Sequence, residues 1–263
     1  MFLGKKIRMN RLVNKKTGRL LAITVDHAIA RGVLPGLEKI EEIIAKIMEG
    51  RPDAVTMQKG IAERCFTPFA GDETGLILKA TSFSPYQKAY DTPTADVEEA
   101  VRLGADAISV GVLVGGKDQP QMISHLAKIT KEAASAGIPV VSHIYPRGEF
   151  IKDNYTYENI RYAVRVAAEL GVDIIKTTYP GNPDDFSKVV EACPAMVVVA
   201  GGSPGKDLRS YFQMTRDVID RGGGGVTYGR FVWQHEKPSL VVQALSALIH
   251  NEASVEQAMQ LLN

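Results

Sequence analysis

The sequence predicts an α/β fold, a (β/α)8 TIM barrel running as one domain over residues 1–263. Three observations carry this expectation. Short β-branched runs alternate with longer helix-period segments along the whole chain. The runs are continuously apolar rather than alternating, as strands covered on both faces should be. The length of 263 residues matches the roughly 250 that such a barrel takes as a single domain.

In chain order, strands are expected at 20–25, 54–57, 76–79, 107–111, 138–143, 173–176, 196–200 and 225–228. Helices are expected between them at 37–49, 95–103, 119–136, 157–170, 183–192, 206–221 and 239–250, with a last one at 254–262. The slot between the second and third strands is weak. Residues 60–69 are few and include Pro68, so this crossover reads largely as loop. Asp96 followed by Glu98 and Glu99 puts acids in a first helical turn, where the helix dipole favours them. Gly104, Gly137 and Gly171 stand just past expected helices, at the usual place for a left-handed C-terminal residue. The phrases Leu103-Gly104-Ala105-Asp106 and Leu170-Gly171-Val172-Asp173 are alike because each is a helix-to-strand turn. An open doubly wound sheet is the alternative. It would usually bring a glycine-rich dinucleotide loop after the first strand, and Val25-Asp26-His27-Ala28-Ile29 has none.

Composition narrows the function. A net charge of +1 argues against nucleic-acid or polybasic membrane binding. The cluster Lys5, Lys6, Arg8, Arg11, Lys15 and Lys16 reads as a solvated N-terminal segment. No apolar leader core follows Met1, and no apolar run reaches the roughly 18 residues that would span a bilayer. The two cysteines, Cys65 and Cys193, make neither a disulfide framework nor a metal cluster, and a cytoplasmic location is expected.

Chemistry in such barrels gathers at the C-terminal strand ends. The first strand delivers Asp26 and His27 there, the second Gln58 and Lys59, and the third Lys79. The fifth delivers His143, Tyr145 and Arg147, and the sixth Lys176 and Tyr179. Lys176 is the sharpest feature, because it follows Asp173-Ile174-Ile175 to the end of a buried run. A partly desolvated lysine near other cations has a lowered pKa, and its neutral amine attacks carbonyls. A lysine that only snorkels to water at a strand end is the bland reading, and Lys59 and Lys79 hold comparable positions. Position leaves the choice among the three open. Asp26 and Tyr145 are the candidate proton handlers, against a capping aspartate and a packing phenol. Gly201-Gly202-Ser203 and Gly229-Arg230 follow the seventh and eighth strands, where barrels often bind phosphate through backbone N–H groups. Arg230 adds a charge there. His27 and His143 with Asp26 could meet across the mouth, but the chain has no close ligand pair, and no metal or cofactor is expected. The glycines at 222–225 precede a strand rather than follow one, so a nucleotide loop is rejected there.

The sequence resembles the class I, Schiff-base aldolases of the archaeal-type fructose-bisphosphate aldolase family, within the deoxyribose-phosphate aldolase-like group. Val25-Asp26-His27, Gln58-Lys59-Gly60-Ile61-Ala62-Glu63, Tyr145-Pro146-Arg147-Gly148, Ile175-Lys176-Thr177-Thr178-Tyr179, Ala200-Gly201-Gly202 and Gly229-Arg230 carry the resemblance, in order over nearly the whole chain. It implies that Lys176 forms the Schiff base, that Asp26 and Tyr145 are its acid/base partners, and that sugar phosphate lies at Gly201, Gly202, Gly229 and Arg230. His27, Lys79, Arg147 and Ser203 complete the expected substrate-binding set. A homo-oligomer is implied as well. The expected reaction is reversible cleavage of fructose 1,6-bisphosphate to dihydroxyacetone phosphate and glyceraldehyde 3-phosphate. The resembled group also includes the transaldolase-like 2-amino-3,7-dideoxy-threo-hept-6-ulosonate synthase and the autoinducer-2 phosphate thiolase. A metal-dependent aldolase and a non-catalytic sugar-phosphate-binding barrel are the further alternatives. Ala28 replaces a usual glycine, His143 a usual tryptophan, and Ser203-Pro204-Gly205-Lys206 a usual Pro-Lys-Thr stretch. These departures leave the lysine alone but alter the cup around it.

Overall fold

A computed structural model describes residues 2–202 and 207–262. Parallel strands β1 (Leu20–Thr24), β2 (Ala54–Gln58) and β3 (Gly75–Lys79) begin the barrel. A short antiparallel pair, β4 (Thr81–Ser82) with β5 (Thr92–Pro93), stands above it. The barrel continues through β6 (Ala107–Val114), β7 (Val140–Pro146), β8 (Ile174–Thr177), β9 (Met196–Ala200) and β10 (Gly225–Tyr228). Strand β1 pairs in parallel with both β2 and β10, so the sheet closes on itself as the expected (β/α)8 barrel.

Helices α3 (Ile40–Glu49), α5 (Val97–Arg102), α6 (Gln119–Ala136), α7 (Tyr157–Glu169), α8 (Pro183–Glu191), α9 (Leu208–Asp220) and α11 (Pro238–His250) fall in the expected slots, as does α12 (Val255–Gln260). Their starts and stops have local causes. The Asp96 carboxylate accepts a hydrogen bond from Glu99 N and caps α5. Gly104, Gly137 and Gly171 all take positive φ. The second crossover, where the proline argues for loop, folds as α4 (Lys59–Cys65) and a 3-10 turn, Thr67–Phe69.

The turns share a further device. Asp106 and Asp173, which end the two similar phrases, accept backbone hydrogen bonds from Leu76 N at 3.0 Å and Val140 N at 2.9 Å. Asp53 does the same for Leu21 N at 2.6 Å, and also meets His250 Nε2 at 3.0 Å. Each carboxylate ties the strand it precedes to a neighbour at the N-terminal end of the barrel, where the ladder has run out of partners.

The N-terminal segment corrects the expectation of a solvated run. It forms α1 (Leu3–Leu12), whose Leu12 is fully buried in a cluster with Leu20, Ala22, Ile77 and Val141 inside the barrel. The charges that make this segment look solvated are its anchors. Lys5 meets Asp173 at 2.7 Å, Arg11 meets Asp106 at 3.1 Å, and Arg8 donates to Gly137 O. Without this helix the lowest apolar layer of the barrel would face water. Leu12→Ala should therefore destabilise the protein by about 2–5 kcal/mol, read from denaturant midpoints, whereas Leu3→Ala on the exposed face should change little.

Candidate active site

Strand register decides what faces the barrel interior. Gly111 of β6 is level with His143 of β7, and His143 is level with Lys176 of β8. Side chains on neighbouring strands at one level share a face, so His143 and Lys176 point together into the barrel. They open into a cavity of about 170 Å³ at the C-terminal strand ends. Asp26, His27, Lys79 and Arg147 line it with Tyr145 and Lys176. Gly201, Gly202, Gly229 and Arg230 close the side formed by β9 and β10. Ser203 lies outside the described residues. The structure thus brings together every other residue expected at the site.

Geometry also reduces the choice of lysine. Lys59 begins α4, is half-exposed and meets Glu99 at 2.6 Å, away from the cavity. Lys79 and Lys176 are both in the cavity and 5% and 6% exposed. Lys79 is engaged, donating to Thr81 Oγ1 at 2.9 Å. Lys176 has no hydrogen bond or ion pair among the described residues. Burial pushes its pKa down to about 8; the Asp26 carboxylate opposes that fall and the Lys79 ammonium adds to it. At pH 7 roughly a tenth of the amine is then neutral, against roughly one part in three thousand for an ordinary lysine.

The candidate proton handlers are held in distinct states. Asp26 directly precedes the short helix α2 (His27–Arg31) but makes no capping bond, so its carboxylate is left for the cavity. Asp26 does occupy the N-cap position, and its Oδ1 lies 3.5 Å from His27 Nδ1. Burial raises the Tyr145 pKa, with Asp26 and Asp91 adding to the rise, so the phenol stays protonated and can donate. Burial lowers His27 to about 4, and His143 falls well below its ordinary value through burial and the nearby lysines. Both imidazoles are neutral at pH 7. The His27 ring packs edge-on against Trp233 of α10 (Arg230–Trp233), at 5.4 Å between centroids. Among the described residues, no group of three or more His, Cys, Asp or Glu side chains is arranged to hold a metal ion.

The glycines are there for close approach. A Cβ at Gly229 would fall 2.6 Å from the His27 ring, and one at Gly201 would press on Phe231 and Tyr228. Phe231 is stacked on Tyr211 at 3.9 Å between ring centroids, so this wall is built of packed aromatic rings. Arg230 donates to Gly202 O, so its guanidinium lies over the glycine pair. An anion could meet both there.

Several cavity residues carry no sequence signal. Arg31 and Arg147 lie on the Phe83 ring, at 5.6 and 5.9 Å from its centroid. Arg31 belongs to α2, too short to show periodicity, and Phe83 and Asp91 sit in the aperiodic loop between β4 and β5. Besides Lys59, two strand-end candidates leave the site. Gln58 ties down the β4–β5 pair through Thr81 O and Thr94 Oγ1. Tyr179 turns outward to bond Asp217 at 3.2 Å.

The electrostatics carry a signed prediction. Labelling of Lys176 by an amine-reactive reagent should rise with pH through a midpoint near 8. Lys79→Met removes a like charge and should raise the midpoint, while Asp26→Asn removes an opposite charge and should lower it. A wild-type midpoint above about 10 would contradict the burial argument.

Residues 20–235 match the model of the DeoC/LacD family aldolases. The chain is 39% identical over 257 residues to the 2-amino-3,7-dideoxy-D-threo-hept-6-ulosonate synthase of Halobacterium salinarum, covering 97% of this chain and 95% of that one. It is 34% identical over 261 residues to 2-amino-3,7-dideoxy-D-threo-hept-6-ulosonate synthase 1 of Archaeoglobus fulgidus, covering 98% and 95%. Among solved structures, a Schiff-base-forming fructose-1,6-bisphosphate aldolase is similar with a TM-score of 0.86 at 28% identity, covering 94% of this chain and all of that one. An archaeal fructose-1,6-bisphosphate aldolase with its catalytic lysine bound to the carbinolamine intermediate gives 0.85 at 28% identity, covering 93% and 99%. An enzyme of the lyase class, this chain belongs to the DeoC/LacD aldolase family.

Proposed function

We propose that this aldolase makes and breaks carbon–carbon bonds through an iminium on Lys176, with a ketose phosphate as substrate. The observation that carries this reading is the Lys176 amine, buried and without a hydrogen bond or ion pair among the described residues, in a cavity it shares with the Asp26 carboxylate and the Tyr145 phenol. The neutral amine adds to the substrate ketone. Loss of water from the carbinolamine needs a proton on the departing oxygen, which the protonated Tyr145 can supply. The resulting cation draws electrons from the adjacent carbon–carbon bond. Cleavage completes when Asp26 takes the proton of the C4 hydroxyl, leaving an aldehyde and an enamine. In synthesis the same groups act in reverse. Gly201, Gly202, Gly229 and Arg230 hold the phosphate, with Arg147 and Lys79 on the opposite walls.

On substrate, the relatives at 39% and 34% identity support a transaldolase-like condensation giving an amino-ulosonate. The resemblance to the archaeal-type fructose-bisphosphate aldolases keeps fructose 1,6-bisphosphate as the second reading, supported by the barrel likeness to the fructose-1,6-bisphosphate aldolases. The cavity's arginines suit either an acceptor carboxylate or a second phosphate.

Borohydride added with dihydroxyacetone phosphate should fix mass on the peptide holding Lys176. Lys176→Met should remove the label and lower turnover on the order of a thousandfold or more, with a chelator having no effect. A label on Lys79 or Lys59 would overturn the site, and unlabelled protein with chelator-sensitive activity would overturn the chemistry.

A further inference from the structure

The cavity holds a charged group that neither the sequence nor the proposed chemistry uses. Asp91 is 7% exposed and lines the cavity from the loop between β4 and β5. Its Oδ1 has no hydrogen-bond partner among the described residues. Lys79 Nζ is 3.9 Å away, beyond the reach of a charge-assisted hydrogen bond, and donates to Thr81 instead. Buried carboxylates are normally paired and hydrogen-bonded. Here Oδ1 is fully enclosed beside Lys79, and Oδ2, which also makes no hydrogen bond among the described residues, is the acceptor left for a molecule in the cavity.

Its placement is built. A Cβ on Gly111 would fall 2.4 Å from the Asp91 carboxylate, so that group fills the room of a side chain missing from β6. Gly111 is level with His143, and His143 with Lys176. The carboxylate therefore enters the layer of Lys176 two strands away, roughly 10 Å along the sheet at about 4.8 Å per strand. On the other side of β8 come β9 and β10, with the glycines and Arg230. Around the barrel the order is an anion-holding wall, the Lys176 amine, and then an unsatisfied carboxylate.

We propose that Asp91 is a substrate-binding residue that accepts a hydrogen bond from a hydroxyl or ammonium group on the end of the substrate remote from its phosphate. The proposal rests on the reading that phosphate lies at β9 and β10, and it deepens that reading into a selection rule. A chain bearing a donor at this end satisfies the carboxylate, while one without it buries an unmet charge and is rejected. Lys79 holds part of the Asp91 charge in check without consuming its acceptor.

Calorimetric titration tests this without any step at Lys176. The ligands are glucitol 6-phosphate, with hydroxyls, 6-aminohexyl phosphate, with an ammonium, and hexyl phosphate, with neither. The wild type should bind one or both donor-bearing ligands better than hexyl phosphate, and the preferred one identifies the donor. Asp91→Asn should cut that preference by about 10- to 100-fold while changing hexyl phosphate affinity by less than about threefold. Gly111→Ala, which displaces the carboxylate without removing it, should do the same. No wild-type preference, no binding of the three ligands, or an equal loss for all of them in Asp91→Asn overturns the proposal. Borohydride labelling of Lys176 should survive Asp91→Asn. Its absence in the wild type would instead overturn the iminium reading and leave the binding comparison standing.

Discussion

Taking an ammonium group out of water is the constraint on which the site depends. Lys176 is on the inner face of a closed barrel, where burial disfavours its charged form and no side chain among the described residues pairs with it. A direct ion pair would raise the amine's pKa and shrink the neutral fraction further. Asp26 is near enough to limit the fall but makes no bond to it, and Lys79 pushes the other way. The resting pKa near 8 is the balance of these three effects. Since each pKa unit is about 1.4 kcal/mol, small movements of either neighbour would change the fraction of reactive amine several-fold.

The scaffold makes that burial possible. At the lower end, Leu12 of α1 closes the apolar layer, and Asp53, Asp106 and Asp173 tie strands together where the ladder ends. At the upper end, missing side chains matter as much as those present. Gly229 admits His27, Gly201 admits the aromatic wall and Gly111 admits Asp91. Each is a place where a Cβ would push a polar or aromatic group out of the cavity. The site is therefore set by the register of the strands and by three points of close approach, with the loops adding Asp91 and Phe83.

Much of this is legible in the sequence, and the limits have physical causes. Strands buried on both faces leave continuous apolar runs, so their positions and the barrel follow directly. A residue such as Lys176 or Tyr145 at the end of such a run is thereby placed near the barrel mouth, and the direction it faces is set by the fold. The N-terminal segment reads as solvated because six lysines and arginines crowd into residues 5–16, and only the fold reveals Asp106 and Asp173 as partners of two of them. Strand-end position makes Lys59, Lys79 and Lys176 equal candidates. The fold separates them: Lys59 starts α4 and pairs with Glu99, and Lys79 donates to Thr81, while Lys176 has no hydrogen bond or ion pair among the described residues. Tyr179 looks as well placed as Tyr145 but turns outward to Asp217. Asp91 is invisible in the sequence, since an aperiodic loop does not announce which glycine will make room for it.

The proposed covalent chemistry at Lys176 rests on family membership, the buried amine and the glycines gathered with Arg230, and the proposed choice of substrate rests on groups further round the barrel. Solvent oxygen exchange tests the central claim most directly. Every iminium formed on Lys176 expels the ketone oxygen as water and takes up a solvent oxygen on hydrolysis. In oxygen-18 water, the enzyme should speed loss of the original ketone oxygen from dihydroxyacetone phosphate, and Lys176→Met should abolish that acceleration. Carbon–carbon cleavage with full retention of the ketone oxygen would contradict the account.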